Sequence, residues 1–170
     1  MAATFDPALD DLLRRTDPDG TGPDGPLFGP DALRALQAVP QAQDKLVAVM
    51  RNPAAADAVR FAAAIGLIEG GWTAWLGDPS TRDAAAGALV TAMRNDKLHN
   101  RWGLPQAFVG PFGRQLVALG ACARTRLSEA LGDRRPLTIM GSEAATIQAQ
   151  KGYTVSDLAA WLTEHASDSG

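Results

Sequence analysis

The densest group of side chains suited to recognition lies between residues 98 and 108. The stretch is interrupted by Gly103 and Pro105, so it reads as a loop between helices. Loops that are held by a rigid scaffold often carry binding residues. This interpretation predicts a partner-binding edge, and the residues that would form it, with Glu143 from further along the chain, are His99, Asn100, Arg101, Trp102, Gln106 and Glu143.

The same stretch also fits a structural role, which the residue types favour. Trp102 and Phe108 would then fill the core, since large aromatic rings are mostly buried. His99 and Asn100 would satisfy backbone groups at helix ends. Both interpretations stay open at the level of sequence.

Metal and nucleotide chemistry find little support in the residue types. With only two histidines and one cysteine, the chain has too few side chains for a four-ligand His/Cys site. Residues 17–22 start like an EF-hand loop, but Pro23 follows and Phe28 replaces the bidentate glutamate. Residues 20–25 match G-x-G-x-x-G, yet they lie in an acidic, proline-rich loop where phosphate would be repelled. We therefore predict no metal and no cofactor.

Nucleophilic catalysis is equally weak as a hypothesis. The chain has no G-x-S-x-G elbow, and Ser142 next to Glu143 could meet His99 only through folding. A helix cap is the favoured role for Ser142. Cys122 lies between two alanines and is expected to be a small core residue. The prediction is a protein that is not an enzyme.

The elements that must position these residues are predicted to be helices. The chain contains 32 alanines against 12 valines and isoleucines together. Alanine is the best helix former, whereas β-branched residues favour strands. An all-α fold follows.

Local signals place several helix boundaries. Asp6 and Pro7 are typical of a first turn, and Ser80-x-x-Asp83 and Thr154-x-x-Asp157 resemble capping boxes. Gly120 suggests a junction between two helices. Helices of about ten residues are too short to be stable singly, so they must pack on one another.

The predicted organisation has three parts. Residues 1–29 hold a short helix and an acidic loop rich in proline and glycine, residues 30–166 form the helical domain, and residues 167–170 are a disordered tail. Within the helical part, Ala-Ile-Gly at 64–66 precedes Leu-Gly-Asp at 76–78, and Ala-Leu-Gly at 118–120 precedes Leu-Gly-Asp at 131–133. This partial repeat predicts a solenoid of helix pairs, with an irregular helical bundle as the alternative.

Two stretches resemble a known family. Residues 116–133 (LxxLGxxAxxxLxxxLxD) are similar to a HEAT-type helical-hairpin repeat. Residues 98–105 (LHNRWGLP), followed by 141–146 (GSEAAT), resemble a set of bacterial HEAT-like proteins without an assigned function. The likeness covers roughly residues 60–165 and implies a short α-solenoid. It carries no activity with it, because such solenoids host scaffolds, inhibitors, lyase subunits and DNA-repair enzymes.

Charge and hydropathy limit the partners and the compartment. The net charge of −3 argues against a chain that coats nucleic acid, although residues 94–135 hold eight basic and three acidic side chains. The sequence shows neither a signal peptide nor an apolar run of membrane-spanning length, and its single cysteine is typical of a reducing compartment. We predict a cytoplasmic protein that does not engage a membrane.

These observations favour a non-catalytic, protein-binding helical module, an adaptor or a neutralising partner of another protein. Two alternatives remain open. One is a nucleic-acid-binding, DNA-repair-like protein that would use tryptophans for stacking and arginines for phosphates. The other is an accessory subunit of an enzyme.

Overall fold

The computed structural model describes residues 6–16 and 26–166. Within these residues the chain is mostly helical with almost no strand, which confirms the all-α prediction. The helices are α1 (Pro7–Arg15), α2 (Pro30–Gln37), α3 (Ala42–Arg51), α4 (Asp57–Glu69), α5 (Pro79–Asn95), α6 (Pro111–Val117), α7 (Ala121–Ser128), α8 (Ser142–Lys151) and α9 (Val155–His165). Two 3-10 helices, Ala74–Gly77 and His99–Arg101, and a hairpin of two short strands, β1 (Gly103–Leu104) and β2 (Phe108–Val109), complete the described part.

The described residues divide into two compact units, residues 6–16 with 26–88 and residues 89–166. In the first unit α4 is the central helix, and α1, α2 and α3 all pack against it. α3 contributes one apolar face at a spacing of four residues, Ala42, Leu46 and Met50, and this face is buried. α4 buries residues on every side, as expected for a helix at the centre of a core.

The start of α1 follows the sequence prediction. The Asp6 carboxylate accepts hydrogen bonds from the Ala8 and Leu9 amides, and Pro7 occupies the first helical position. Asp6 also contacts the Lys45 ammonium at 2.7 Å. Since Leu9 and Leu13 are buried, α1 is part of the core of the first unit.

Residues 27–28 enter the same core. Leu27 and Phe28 are buried, and their amides donate to the two carboxylate oxygens of Glu69 at 3.0 and 2.9 Å. Burial raises the pKa of Glu69, while these two hydrogen bonds act in the opposite direction. The loop predicted around residues 17–25 lies outside the described residues.

The second unit is built on α9, against which α6 and α7 pack. Gly120 lies between α6 and α7 with φ of 61°, as the predicted junction requires. Thr154 and Asp157 form the expected capping box at the start of α9. α8 differs from its neighbours, because none of its residues is buried.

Two predicted caps are wrong. α5 begins before Ser80, and Asp78 caps it by accepting from the Ser80 amide and hydroxyl and from the Thr81 hydroxyl. At α8 the N-cap is Gly141, without a side-chain cap bond, and Ser142 is the first helical residue. In both cases the helix was predicted correctly and its first turn was misplaced by one or two residues.

The two passages of the partial repeat have different structures. Gly66 lies inside α4, where an added Cβ would come within 3.1 Å of the Leu36 side chain, whereas Gly120 lies between two helices. Asp78 caps α5, whereas the Asp133 carboxylate binds two arginines. The shared letters therefore do not mark equivalent positions.

Candidate functional site

The predicted partner-binding residues separate by burial into two groups. Four of them are buried: His99, Asn100, Arg101 and Trp102. Gln106 and Glu143 are exposed. The predicted site therefore combines a buried part with exposed side chains.

The buried part is organised by Asp96, which follows the C-terminus of α5. One carboxylate oxygen accepts from the Leu98 amide at 3.0 Å and from the Arg101 guanidinium at 2.6 Å. The other oxygen accepts from the Trp102 indole N–H at 2.7 Å. We call Asp96, His99, Asn100, Arg101 and Trp102 the buried polar cluster.

Arg101 carries a charge into the interior of this cluster. Its side chain is 1% exposed, and its guanidinium carbon lies 5.8 Å from the centre of the Phe112 ring. The ion pair with Asp96 and the aromatic face compensate the buried charge. Nε and Nη1 have no hydrogen-bond acceptor among the described residues.

His99 connects the cluster to the segment that precedes α8. Its Nε2 lies 3.1 Å from the Met93 carbonyl at the end of α5, and its Nδ1 lies 2.9 Å from the Thr138 amide. Because an amide can only donate, Nδ1 accepts and Nε2 carries the proton. Burial lowers the pKa of His99, and the nearby Arg135 adds to this, while Asp96 opposes it. The imidazole is neutral, and both of its nitrogens are engaged.

Asn100 binds the same segment at Met140, two residues after Thr138. Its side-chain N–H donates to the Met140 carbonyl, and its side-chain oxygen accepts from the Met140 amide, both at 2.8 Å. A primary amide reproduces the donor and acceptor pair of a neighbouring strand in this way. Together with the hydrogen bond from the His99 amide to the Thr138 carbonyl, this fixes residues 138–140 on the cluster.

Two glycines allow α6 to approach the cluster closely. A Cβ at Gly110 would lie 2.4 Å from the Asn100 carbonyl oxygen, and one at Gly113 would lie 2.0 Å from the Trp102 carbonyl oxygen. No side chain fits at either position, because backbone atoms cannot be displaced cheaply. Glycine is therefore required where α6 begins.

Exposed side chains surround this buried part. Gln106 stands at the tip of the hairpin with φ of 63°, and Phe108, on β2, is 38% exposed. Met140 is 64% exposed although its backbone is bound by Asn100, and Glu143 lies in the first turn of α8. We call Gln106, Phe108, Met140 and Glu143 the exposed set. Gln106 and Glu143 were predicted as site residues from the sequence, but Met140 was not, because its pairing with Asn100 joins residues 40 positions apart.

The basic stretch is largely occupied by internal contacts. Asp133 binds Arg135 at 2.6 Å and Arg94 at 3.1 Å, and these hydrogen bonds, first of all the one from Arg135, hold the pKa of Asp133 well below its usual range. Of the three tryptophans that could stack on bases, Trp75 and Trp102 are buried and present no ring face, whereas Trp72 is half-buried. These contacts weaken the support for the nucleic-acid alternative.

Other candidate chemistry finds no assembled site in the part of the chain that the structure describes. It holds no group of three or more His, Cys, Asp or Glu side chains placed to bind a metal ion. His99 is engaged at both nitrogens and does not serve Ser142 as a base. Cys122 is half-buried on α7. The motif-like residues 17–25 fall outside the described ranges.

Across residues 6–16 and 26–166, none of the helices has both the length and the apolar character needed to cross a bilayer. Comparison with protein-family models, with curated proteins and with solved structures finds no match to this chain.

Proposed function

We propose that this protein is a non-catalytic, protein-binding helical module, an adaptor or a neutralising partner of another protein, and that it binds through the exposed set. One observation carries the proposal. Met140 presents a 64% exposed apolar side chain from a backbone whose N–H and C=O are both held by Asn100. An apolar side chain on a fixed backbone is suited to serve as an interface anchor.

Rigid support matters because association is opposed by the loss of conformational freedom. Ordering a rotamer-rich side chain at an interface costs about 0.5–1.5 kcal/mol, and an unordered backbone would add to this. In the exposed set the backbone is already ordered before binding, at Met140 by the Asn100 hydrogen bonds and at Phe108 by the pairing of β1 with β2. Binding then orders only side chains.

The members of the exposed set are joined through the buried polar cluster. Phe108 pairs with Leu104 across the hairpin, and the Gly110 amide, two residues later, donates to the Trp102 carbonyl at 2.9 Å. Met140 is bound by the Asn100 side chain. An aromatic ring and a thioether are residue types enriched at protein interfaces, and polar side chains lie close to each in the chain, Gln106 near Phe108 and Glu143 near Met140.

The HEAT-like arrangement belongs to the same proposal. The antiparallel packing expected of a helical hairpin is supported by the extensive contact between α3 and α4, which a short connection joins. The resemblance of residues 98–105 and 116–133 supports it as well. A module of this kind would present recognition residues from a stable helical support.

The test is a surface variant that leaves the buried polar cluster intact. We expect Phe108→Ser with Met140→Ser to lose at least about tenfold in recovery of the partners that co-purify with the wild-type protein from the native extract, as anchor residues typically cost 1–2 kcal/mol or more. Leu131→Ser is the matched control, because Leu131 is exposed to a similar degree and lies outside the exposed set. If the folded double variant recovers every partner that the control recovers, the exposed set is not the binding surface.

A further inference from the structure

A groove in the first unit lies between α3, the 3-10 helix Ala74–Gly77 and the first turn of α5. It has a volume of about 580 Å³ and is open to solvent. It belongs to none of the surfaces described above. Small-molecule sites typically enclose 70–90% of their ligand, so an open groove is better suited to a segment of a protein.

The groove is formed by the face of α3 that does not pack into the core. The inner face of α3, Ala42, Leu46 and Met50, packs into the core. The outer face follows the helical spacing i, i+3, i+4 and i+7, and it lines the groove with Asp44, Val47, Ala48 and Arg51. Across from this face lie Ala74 and the buried ring of Trp75. The small alanines leave space above an apolar floor.

Charge is unevenly compensated along the groove. At one end, Arg51 donates to the Ser80 hydroxyl at 3.0 Å and lies 3.6 Å from the Asp78 carboxylate, so its charge is already paired. At the other end, the exposed Asp44 carboxylate has neither a hydrogen-bond nor an ion-pair partner among the described residues. The uncompensated charge of the groove is therefore negative.

We propose that this groove binds an amphipathic helical segment of a partner protein, with two apolar residues one turn apart over Val47 and Ala48 and a lysine or arginine opposite Asp44. Arg51 follows Asp44 by seven positions on α3, which corresponds to about 10 Å, or two helical turns. A partner helix that presents residues at the same i, i+3/i+4, i+7 spacing matches this length.

The apolar contacts and the Asp44 charge contribute differently to binding. Apolar burial supplies most of the affinity, because an ion pair at a solvent-exposed edge contributes little. The charge selects among helices and sets their direction in the groove. Blocking the apolar floor is therefore expected to weaken binding more than reversing the charge.

The experiment is a selection of displayed helical peptides on the full-length protein, with Ala48→Arg used for counter-selection. We expect enriched peptides to carry two apolar residues and a basic residue at this spacing. Their binding should weaken at least about tenfold in Ala48→Arg, and by about two- to fivefold in Asp44→Lys, as exposed ion pairs contribute 0.2–1 kcal/mol. Ala107→Arg, at an exposed alanine of the second unit, is the matched control and should bind as the wild type does.

Three outcomes would overturn the proposal. Peptides that do not distinguish the wild type from Ala48→Arg would show that the groove is not used, and enriched peptides with acidic or neutral residues would contradict the role of Asp44. Self-association that Ala48→Arg abolishes would identify a second copy of the chain as the occupant. Since Phe108→Ser with Met140→Ser leaves the first unit unchanged, its effect is independent of this result. Circular dichroism of each variant confirms that the helical fold is retained.

Discussion

The cores of the two units are built by different means. In the first unit, α4 buries eight of its residues, and all eight are apolar or glycine. In the second unit, the residues around the C-terminus of α5 bury a charged guanidinium, a neutral imidazole and an amide, each with specific partners. The first core depends on which face of a helix is apolar. The second depends on directional hydrogen bonds, several of which join residues about 40 positions apart in the chain.

This difference implies different sensitivities. An apolar core tolerates a change of shape with graded losses, because the surrounding side chains relax partly around a cavity. A buried polar cluster is less tolerant, since removing one partner leaves another polar group buried without a bond. Substitutions in the two units can test whether this contrast holds.

The largest effect is expected for Trp102→Ala. The substitution removes a fully buried ring that packs 5.5 Å from the Phe112 ring, and it leaves one Asp96 oxygen without its indole donor. We expect the free energy of unfolding to fall by about 3–5 kcal/mol. Denaturant unfolding followed by circular dichroism measures it, and a loss below about 1 kcal/mol would contradict the structural role of Trp102.

Ile65→Ala is the corresponding change in the apolar core. Ile65 is fully buried in α4 and its side chain carries no polar atom, so the loss is expected to be about 2–4 kcal/mol. Ile147→Ala on α8, which buries no residue, should cost clearly less. Equal losses at the two positions would mean that α8 is packed more tightly than its burial indicates.

Asn100→Ala separates the hydrogen bonds of the cluster from its apolar packing. It removes both bonds to the Met140 backbone and is expected to lower the free energy of unfolding by about 1–3 kcal/mol. Asn95→Ala is a suitable control, because both hydrogen bonds of the Asn95 side chain, to Thr91 and from Arg135, are exposed to solvent, and we expect it to change stability by about 0.5 kcal/mol or less. Similar losses in the free energy of unfolding for the two variants would contradict the proposal that Asn100 holds the Met140 backbone.

We expect the stability of the second unit to depend on pH because of His99. Because burial lowers its pKa below the ordinary value, the unfolded chain binds a proton at higher pH than the folded chain does. The contribution of His99 to stability is therefore complete above about pH 6.5 and is lost as the pH falls below it. His99→Gln keeps a donor and an acceptor and should flatten this slope in unfolding curves measured between pH 7.5 and 5.

The same contrast explains what the sequence could and could not predict. The helices, the start of α1, the junction at Gly120 and the capping box of Thr154 are local features, and local spacing predicted them. Asp96 was not singled out, because nothing next to it in sequence shows that its carboxylate meets Arg101 and Trp102. Met140 was missed for the same reason.

The partial repeat is a case in which the sequence suggested a similarity that the structure does not have. Identical letters at 76–78 and 131–133 suggested equivalent positions, yet Asp78 caps a helix and Asp133 pairs with arginines. A short motif fixes a residue's role only when its neighbours in space are also shared. The groove beside α3 depends on Ala74 and Trp75 facing that helix, which no local pattern indicates.

Amide hydrogen exchange at Met140 tests the central claim most directly. The Asn100 side chain holds the Met140 amide on the buried polar cluster, while the Met140 side chain is exposed to solvent. We expect this amide, with that of Thr138, to exchange at least about tenfold more slowly than in an unstructured peptide, since tenfold corresponds to about 1.4 kcal/mol of opening free energy. Exchange at the rate of an unstructured peptide would show that residues 138–140 are not held by the cluster and would contradict the proposed support of the binding surface.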